Sequence, residues 1–417
     1  MGLLWALHPI FRGIGVLRPL FIVVFLEFRP VLWDGYPFPS HVRALLFFAP
    51  YSRKFSPGSQ NFHGAILRGV RVSFASGEIM KFWLAASALL ISSVLFLRYA
   101  ALPAAESTAS HGFLFVANQG DHTALVVDLD TRKVISKIGV DINGHEVAVA
   151  PNHHFAYVPI YGNSGVGKPG TDGNSVHVID LRVGRDIQII NLGKPVRPHC
   201  AKFGPDGLLY VSAELANAIY VVDPATSKVV REIPTGAAES HMFVLSPDGK
   251  RAYTANVAAG SVSVLDVQNR SVITVIPVAK TVQRVSISTD GKYVFTHDQG
   301  TPRIAVIDTA TNKLARWSDL PATVYSSTPT PDGRLLLANA PSGKLFVIDL
   351  STEKVTAEYP IPAALGEIAI DGSSERAYIT CPQKGTIEVL DIRGGKLESP
   401  IVLTPGVDGI TWFSAIS

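Results

Sequence analysis

Three histidines occupy matching positions in this chain, and histidine is a residue type that can bind a metal ion or a polar ligand. Each lies six residues before a proline that opens a turn, and the three are His145, His199 and His241. Neutral imidazoles are common metal ligands, and three of them with an open fourth position suit a zinc-like divalent ion. The spacing therefore predicts a metal site if the fold brings these positions together.

Polar residues at or beside the same position extend the candidate site. The predicted ligand-binding residues are His145, Glu146, Arg197, His199, His241, Gln283, Arg284 and Tyr325. A concave polar site of this kind can bind a small ligand without a metal. The alternative is structural: strand alternation puts the histidines on the same side as Val147, Ala201 and Phe243, where they would pack between neighbouring sheets. The corresponding alternative for Arg197, Arg284 and Glu146 is that they are solvated charges at the rim.

The elements that would position these residues are short strands. After residue 242, an apolar run ends at Ser246-Pro247-Asp248-Gly249, where proline presets φ and glycine accepts a positive φ, as in a hairpin turn. Three more apolar or alternating runs follow at residues 251–256, 261–265 and 271–276. Four short strands without a helix pattern indicate an antiparallel meander. One such unit would bury too little surface to be stable alone.

The unit repeats along the chain. Its third strand ends in an apolar pair followed by aspartate, and this residue recurs as Asp128, Asp180, Asp223, Asp266, Asp308, Asp349 and Asp391. The intervals are 52, 43, 43, 42, 41 and 42 residues. Seven units of this length predict an all-β fold, a seven-bladed β-propeller of four-stranded antiparallel blades. We expect each aspartate to cap the turn between the third and fourth strands, without a further role.

The two ends of the repeat region complement each other. The first unit has strands at residues 113–118, 124–129 and 134–138 and lacks an inner strand. The last unit is followed by an extra inner-type strand at residues 409–415. Pairing this C-terminal strand with the first unit completes seven blades and removes the open sheet edges.

The repeat resembles the YVTN-type β-propeller repeat family. The matching residues are Ser246-Pro247-Asp248-Gly249-Lys250-Arg251-Ala252-Tyr253 and Val262-Ser263-Val264-Leu265-Asp266, with shorter copies at residues 204–207, 289–292 and 330–333. The resemblance covers about residues 112–417 and implies the fold, because the motif consists of turns and core strands. It implies no single activity, since this fold serves many functions. At the level of fold the blades are also similar to those of propeller lactonases.

Composition and charge fit one large all-β domain with an N-terminal addition. Residues 1–111 contain ten Lys or Arg and four Asp or Glu, whereas residues 112–417 contain 27 basic and 30 acidic residues, a net charge of −3. This balance disfavours nucleic acid as a partner. The two cysteines, Cys200 and Cys381, lie in distant units, so we expect them not to form a disulfide.

The N-terminal region differs from the repeats. Residues 1–79 show no sustained periodicity, whereas Met80-Lys81, an apolar run at 82–97 and small residues at 100–105 form the three parts of a secretory signal. We therefore expect translation to start at Met80, with residues 1–79 a non-native extension or disordered. An uncleaved membrane anchor is the alternative for residues 80–105, because Pro103 makes a poor cleavage site. Both interpretations place the propeller outside the cytoplasm, in the periplasm or secreted.

The second unit contains the large departure from the repeat length. A glycine-rich insertion lies between Tyr161 and Asn174 and accounts for the 52-residue interval. No helix pattern follows it, so a phosphate-binding loop is excluded. It is either a flexible loop over one face, or a lid or cation-holding loop at a functional site.

Two classes of function fit these patterns. The sequence has no CxxCH haem motif, no paired CxxC, no G-x-S-x-G and no nucleotide fingerprint. This favours a non-catalytic, monomeric binding scaffold for an unknown protein or small ligand, with no catalytic residue and at most a divalent metal as cofactor. The alternative is a lactonase-like, metal-dependent hydrolase with its site at the channel mouth.

Overall fold

A computed structural model of the chain describes residues 112–363 and 365–415 together with four strands of the N-terminal region. The chain divides into two compact units, residues 1–108 and 109–417. Within the described part of the chain, no helix could span a bilayer. The predicted signal or anchor at residues 80–105 lies outside the described residues.

The N-terminal unit contains one antiparallel sheet with its strands in chain order. The strands are β1 (Gly2–Leu7), β2 (Leu20–Trp33), β3 (Tyr36–Pro50) and β4 (Val70–Ser73). Phe, Val, Leu and Ile dominate β2 and β3, and β-branched and aromatic residues favour strands even without strict alternation. The hypothesis of a start at Met80 stays a prediction.

The C-terminal compact unit, residues 109–417, is a seven-bladed β-propeller, as predicted. Blades one to three contain β5 (Phe113–Asn118), β6 (Thr123–Asp128), β7 (Lys133–Gly139); β8 (Ala148–Val149), β9 (Phe155–Gly162), β10 (Asp172–Asp180), β11 (Arg185–Asn191); and β12 (Pro198–Phe203), β13 (Leu209–Ala213), β14 (Ala218–Asp223), β15 (Lys228–Pro234). Blades four and five contain β16 (Ser240–Leu245), β17 (Arg251–Asn256), β18 (Ser261–Asp266), β19 (Ser271–Pro277); and β20 (Val285–Ile287), β21 (Tyr293–His297), β22 (Arg303–Asp308), β23 (Lys313–Asp319). Blades six and seven contain β24 (Ser326–Pro329), β25 (Leu335–Ala340), β26 (Lys344–Asp349), β27 (Lys354–Pro360); and β28 (Ile368–Ile370), β29 (Arg376–Cys381), β30 (Thr386–Asp391), β31 (Lys396–Leu397), β32 (Ile401–Val402).

The last strand, β33 (Val407–Phe413), closes the ring. It pairs antiparallel with β5, from Ile410 opposite Val116 to Phe413 opposite Phe113, and supplies the inner strand of blade one. The predicted closure is confirmed, but the strand begins and ends two residues earlier than predicted. It ends at Phe413 because its partner β5 begins at Phe113, so the chain beyond has no ladder to join.

Inter-blade packing explains the different patterns along the strands. Middle strands are buried on both faces because each blade is covered by its neighbours, whereas an outer strand such as β19 is mostly exposed or half-buried. One core position recurs on the second strand of every blade, and its residues are Phe115, Tyr157, Tyr210, Tyr253, Phe295, Leu337 and Tyr378, all buried. These large side chains form the interfaces that hold the ring together.

The recurring aspartates have the predicted structural role. Each carboxylate accepts a backbone N–H from two or three residues further on, at 2.6–3.0 Å, in the turn after the third strand. The two cysteines are buried and unpaired, as expected. Neither feature contributes chemistry to a functional site.

We predict that the close approach of the closing strand to blade two limits residue size at Gly409. A Cβ atom added there would lie 2.3 Å from the His145 carbonyl oxygen. Gly409→Ala should therefore lower the free energy of unfolding by about 2 kcal/mol, measured by urea denaturation. The control is Gly139→Ala at the end of β7, where a Cβ atom would meet nothing within 4 Å. Equal stability of the two variants would contradict the observed closure.

Candidate functional site

The entrances to the inner strands form a ring of matching positions. After His199 this position recurs at intervals of 42, 42, 42, 41 and 42 residues. Six of the seven residues line one cavity of about 270 Å³ at the channel mouth: His145, His199, His241, Gln283, Tyr325 and Asp408. The seventh, Gly366, has no side chain. The expectation that the three histidines meet at one height is therefore correct.

A shared backbone turn directs the three histidines to the mouth. The residue two positions before each of them, Asn143, Arg197 or Glu239, has a positive φ of 67°, 50° or 54°. Such a conformation is uncommon outside glycine. The backbone carbonyl of each of these three residues accepts a hydrogen bond at 2.8–3.4 Å from an N–H at, or directly after, the end of the second strand of the same blade. This bond holds the turn in place.

The three imidazoles form a continuous stack. The ring centroids of His145 and His199 are 4.3 Å apart, and those of His199 and His241 are 3.6 Å apart, with tilts of 34° and 37°. Tyr161 packs edge-on against all three rings. His199 is therefore the central member and is held by ring contacts on both sides.

The outer member His241 is fixed by a buried carboxylate. Its Nδ1 lies 2.6 Å from Glu214 Oε2, and the Tyr161 hydroxyl donates to Glu214 at 2.9 Å. Burial alone would raise the pKa of Glu214, but hydrogen bonds from His241 and Tyr161 and the charge of Arg197 lower it. Burial lowers the pKa of His241 to about 4. The neutral ring therefore donates from Nδ1, and its Nε2 carries the lone pair.

The other outer member, His145, has a similar partner on the closing strand. Its Nδ1 lies 3.2 Å from Asp408 Oδ2, and the Gln119 amide donates to the same carboxylate oxygen at 2.6 Å. Burial would raise the pKa of Asp408, but the hydrogen bond with His145 and the charges of His145 and Arg284 lower it. The Gln119 amide nitrogen also lies 3.0 Å from Nδ1 of His145, so Asp408 and Gln119 together orient this ring.

The central His199 has no such partner. Its side chain is 1% exposed, and neither ring nitrogen has a hydrogen-bond partner within the described part of the chain. Burial, and then the neighbouring His241 and His145, hold the pKa of His199 well below its usual range. An unpaired buried polar group costs about 1–3 kcal/mol, so its presence calls for an explanation. Since the ring lines the cavity, a bound ligand is the simplest one.

A buried arginine forms the floor of the mouth. The Arg284 guanidinium donates to Glu146 Oε1 and the Tyr325 hydroxyl, each at 2.6 Å, and also lies 2.6 Å from Glu367 Oε1. Burial, and then the nearby Glu367, raise the pKa of Glu146 well above its usual range. A second cavity of about 380 Å³ continues below this floor, lined by Glu146 and Glu367.

The second predicted arginine holds the insertion of blade two over the mouth. Arg197 donates to Asp172 Oδ1 at 2.6 Å and to the carbonyls of Lys168 and Gly165 at 2.9 and 3.3 Å. Ser164, Gly165 and Val166 line the mouth cavity, so the insertion covers it. Arg197 and Arg284 are 6% and 4% exposed, so the interpretation of both as solvated rim charges is wrong.

The charge balance around the mouth is acidic. Five carboxyl groups lie in the network, against the two guanidinium groups of Arg197 and Arg284, and they belong to Glu146, Asp172, Glu214, Glu367 and Asp408. Even with a proton on Glu146 the balance is negative. Neutral imidazole lone pairs beside excess carboxylate suit a cation or a ligand rich in hydrogen-bond donors.

The cysteine next to His199 is not an activated nucleophile. Burial raises the pKa of the Cys200 thiol to about 11, so this neighbour of His199 is not a nucleophile at neutral pH. A larger cavity of about 710 Å³ lies between blades five and six. Its rim arginines are paired, Arg316 with Glu353 and Arg334 with Asp332, and it contains no histidine.

Six of the eight residues of the predicted ligand-binding set line the mouth cavity, whereas Glu146 pairs with Arg284 and lines the cavity below, and Arg197 holds the covering loop. The analysis of the sequence missed Tyr161, Glu214, Glu367, Asp408 and Gln119. The repeat spacing could have identified Asp408, since it lies 42 residues after Gly366 in the series of inner-strand entrances. The same spacing could have identified Glu367, because it follows Gly366 as Glu146 follows His145. Tyr161 lies within a second strand and Glu214 directly follows one, where no repeat marks them.

Comparisons with known proteins agree on the fold. No family model matches the chain. The uncharacterized protein YwhL of Bacillus subtilis (strain 168) is 30% identical over 156 residues, which is 37% of this chain and 31% of YwhL. A chain of Kuenenia stuttgartiensis hydrazine synthase aligns with a TM-score of 0.56 at 21% identity, over 71% of this chain and 93% of that one. Dihydro-heme d1 dehydrogenase NirN in complex with DHE aligns with a TM-score of 0.55 at 14% identity, over 76% and 78%.

These likenesses support the propeller fold and do not establish a family. The chain spans about a third of the length of YwhL, and both structural likenesses fall at identities that carry the fold alone. The resemblance to YVTN-type repeats therefore stays a prediction, whereas the seven-bladed architecture is confirmed.

We predict an acid-sensitive contribution to stability from His297 on β21. The residue is buried, its Nε2 lies 2.9 Å from Ser327 Oγ, and burial followed by the charge of Arg284 lowers its pKa to about 3. An unfolded histidine titrates near pH 6.5. Below that pH the unfolded state binds a proton that the folded state does not, so stability falls as the pH decreases from 6.5 towards 3.

The matched comparison is His297→Gln, which retains a group able to hydrogen-bond Ser327. Between pH 6.5 and 4.5 the unmodified protein should lose about 2 kcal/mol more unfolding free energy than this variant, measured by urea denaturation at each pH. Parallel pH profiles for the two proteins would show that His297 is not held neutral by burial.

Proposed function

We propose that this chain is a non-catalytic binding propeller that captures a small cationic or donor-rich ligand at the channel mouth. The observation that carries the proposal is His199. It is buried, lines the mouth cavity and has two ring nitrogens without a hydrogen-bond partner among the described residues. A fold that merely packs a histidine in its core would satisfy at least one of these nitrogens.

The size and charge of the cavity define the class of ligand. Its volume of about 270 Å³ is just below the usual range for ligand pockets, which is about 300–1,000 Å³. It suits an ion or a compact molecule better than a peptide. The excess of carboxyl over guanidinium groups favours positive charge, and the imidazole lone pairs favour hydrogen-bond donors or a metal ion.

The location of this activity follows from the predicted signal. A secretory segment at residues 80–105 would deliver the propeller to the periplasm or the exterior, or anchor it there. NirN, which shares the fold, has been determined in complex with DHE, which supports a ligand-binding role for a propeller of this architecture. Whether the same ligand class applies here is decided by the mouth residues and not by the fold.

A metal-dependent hydrolase is the second candidate. The observation in its favour is Glu146, a buried carboxyl beside the imidazoles with a pKa raised well above its usual range. A buried carboxyl whose pKa is raised beside a ligand cavity is a typical general acid. Turnover of lactone or ester substrates that Glu146→Gln abolishes would favour the hydrolase over the binding scaffold.

We predict opposite effects of His199→Phe on stability and on binding. A phenyl ring fits between the neighbouring imidazoles and removes both unpaired nitrogens, so the ligand-free variant should gain about 1 kcal/mol of unfolding free energy. Its affinity for the binding ligand in a panel of small primary amines and divalent metal chlorides should fall at least tenfold. Isothermal titration and urea denaturation measure the two effects.

The control for this experiment is His154→Phe. His154 is half-buried in the turn before β9 and does not line the mouth cavity. The His154→Phe protein should bind the same ligands as the unmodified protein. A His199→Phe protein that loses stability and retains full binding would overturn the proposed role of the mouth. So would the absence of binding by every member of the panel.

A further inference from the structure

The residues that could hold a metal ion at the mouth differ from the three histidines suggested by their spacing. Within the described residues, potential ligand atoms of His145, Glu146 and His199 all lie within 4.8 Å of one another. His241 is not part of this group. We propose that the mouth binds a divalent transition-metal ion through His145, His199 and Glu146, an inference that rests on the proposed binding function.

The distances suit such an ion after small side-chain rotations. Bonds of about 2.0–2.1 Å to two imidazoles and a carboxylate in a tetrahedral arrangement place the donors roughly 3.3 Å apart. The backbone already fixes two of the donors relative to each other. The Glu146 N–H donates to the His199 carbonyl, and the Ala201 N–H donates to the Glu146 carbonyl, each at 3.1 Å. Blades two and three therefore present their donors as one unit.

The surroundings of the donors match those of metal-binding histidines. Such histidines usually donate their second ring N–H to a carboxylate, which orients the ring and makes it a better ligand. Asp408 has this position beside Nδ1 of His145, at 3.2 Å. His199 contributes a nitrogen to which no group in residues 112–363 or 365–415 is hydrogen-bonded. The site thus combines an oriented imidazole with a free one.

The remaining donor, Glu146, can leave its present partner. Its Oε1 accepts from Arg284, but the same guanidinium also lies 2.6 Å from Glu367 and donates to the Tyr325 hydroxyl at 2.6 Å. When the ion takes an oxygen of Glu146, Glu367 and Tyr325 still neutralise and hold Arg284. Two carboxylates on one arginine give the site a carboxylate to spare for the ion.

The neighbouring His241 has a positioning role in this arrangement. Its ring stacks on His199 at 3.6 Å, and its Nδ1 is held by Glu214. It fixes the orientation of the central imidazole without contributing a donor. This assignment separates the present proposal from a site of three histidines, because the two schemes predict different effects of changing Glu146 and His241.

The donor types define the class of metal. Two imidazoles and one carboxylate bind Zn²⁺ or another first-row transition metal, whereas Ca²⁺ and Mg²⁺ prefer oxygen ligands alone. Affinity for such a site should follow the usual order, with Cu²⁺ tightest, then Zn²⁺ or Co²⁺, and Mn²⁺ weakest. The three donors leave at least one coordination position for water or a second ligand.

The first test is isothermal titration of the metal-stripped full chain with the chlorides of Zn²⁺, Co²⁺, Cu²⁺, Mn²⁺, Ca²⁺ and Mg²⁺. We expect one ion per chain for Zn²⁺, Co²⁺ and Cu²⁺, and no binding of Ca²⁺ or Mg²⁺. The absorption spectrum of the Co²⁺-bound protein reports the coordination geometry independently of the calorimetric signal. Binding of small amines without any transition metal would overturn this inference and leave the proposed function intact. Binding of neither would overturn both.

The second test separates the two donor sets. His199→Phe should lower Zn²⁺ affinity at least a hundredfold, and Glu146→Gln at least tenfold. His241→Phe, which keeps the stacking ring and removes the nitrogens, should change it less than tenfold. If His241→Phe does not fold, His241→Gln retains a donor for Glu214 and takes its place. A larger loss for the His241 variant than for Glu146→Gln would overturn the assignment.

Discussion

The antiparallel pairing of β33 with β5 is the interaction on which the rest of this structure depends. It joins the two ends of the repeat region in one sheet and turns an open array of meanders into a closed ring. Closure fixes the height of all seven inner-strand entrances. It also brings Asp408, near the end of the repeat region, to His145 in the second blade, with Oδ2 of Asp408 3.2 Å from Nδ1 of His145. Without it there would be no mouth at which residues from seven blades could meet.

Within that frame, the mouth contains more polar and charged groups than a stable core requires. Glu214 and His241 satisfy each other, and Arg284 joins two carboxylates and a tyrosine hydroxyl. Replacing such a buried network with apolar residues is often neutral or stabilising, so its presence is not explained by stability. His199 adds an unpaired group at the centre. Proteins tolerate local costs of this kind mainly at functional sites.

The fold could be predicted from the sequence because its signals repeat. Turn residues such as Pro247 and Gly249 and the capping aspartates recur at nearly constant intervals, and each has a local physical cause. The ring position of the histidines followed from the same periodicity. What periodicity could not give is the direction of the non-repeating side chains. Arg197 reaches back to the covering loop, and Glu214 and Tyr161 come from positions outside the inner strands.

The candidate metal ligands His145, Glu146 and His199 show this limit of sequence periodicity most clearly. Adjacent residues of a regular strand point to opposite faces, which would separate Glu146 from His145. At the entrance to blade two the chain has not yet entered the regular strand β8, so potential ligand atoms of His145 and Glu146 lie within 4.8 Å of each other, although Glu146 lines the cavity below the mouth. The spacing predicted a site of three histidines, whereas the metal site that we propose takes Glu146 in place of His241.

The most direct test of this account is the state of the His199 ring in solution. Long-range ¹H–¹⁵N spectra of the ligand-free protein at pH 6.5, assigned by the signal lost in His199→Phe, report protonation and hydrogen bonding of each ring nitrogen. The account predicts a neutral ring whose unprotonated nitrogen accepts no hydrogen bond from protein and whose signal shifts when Zn²⁺ is added. A charged ring, or a nitrogen already hydrogen-bonded to the protein and unaffected by Zn²⁺, would contradict it.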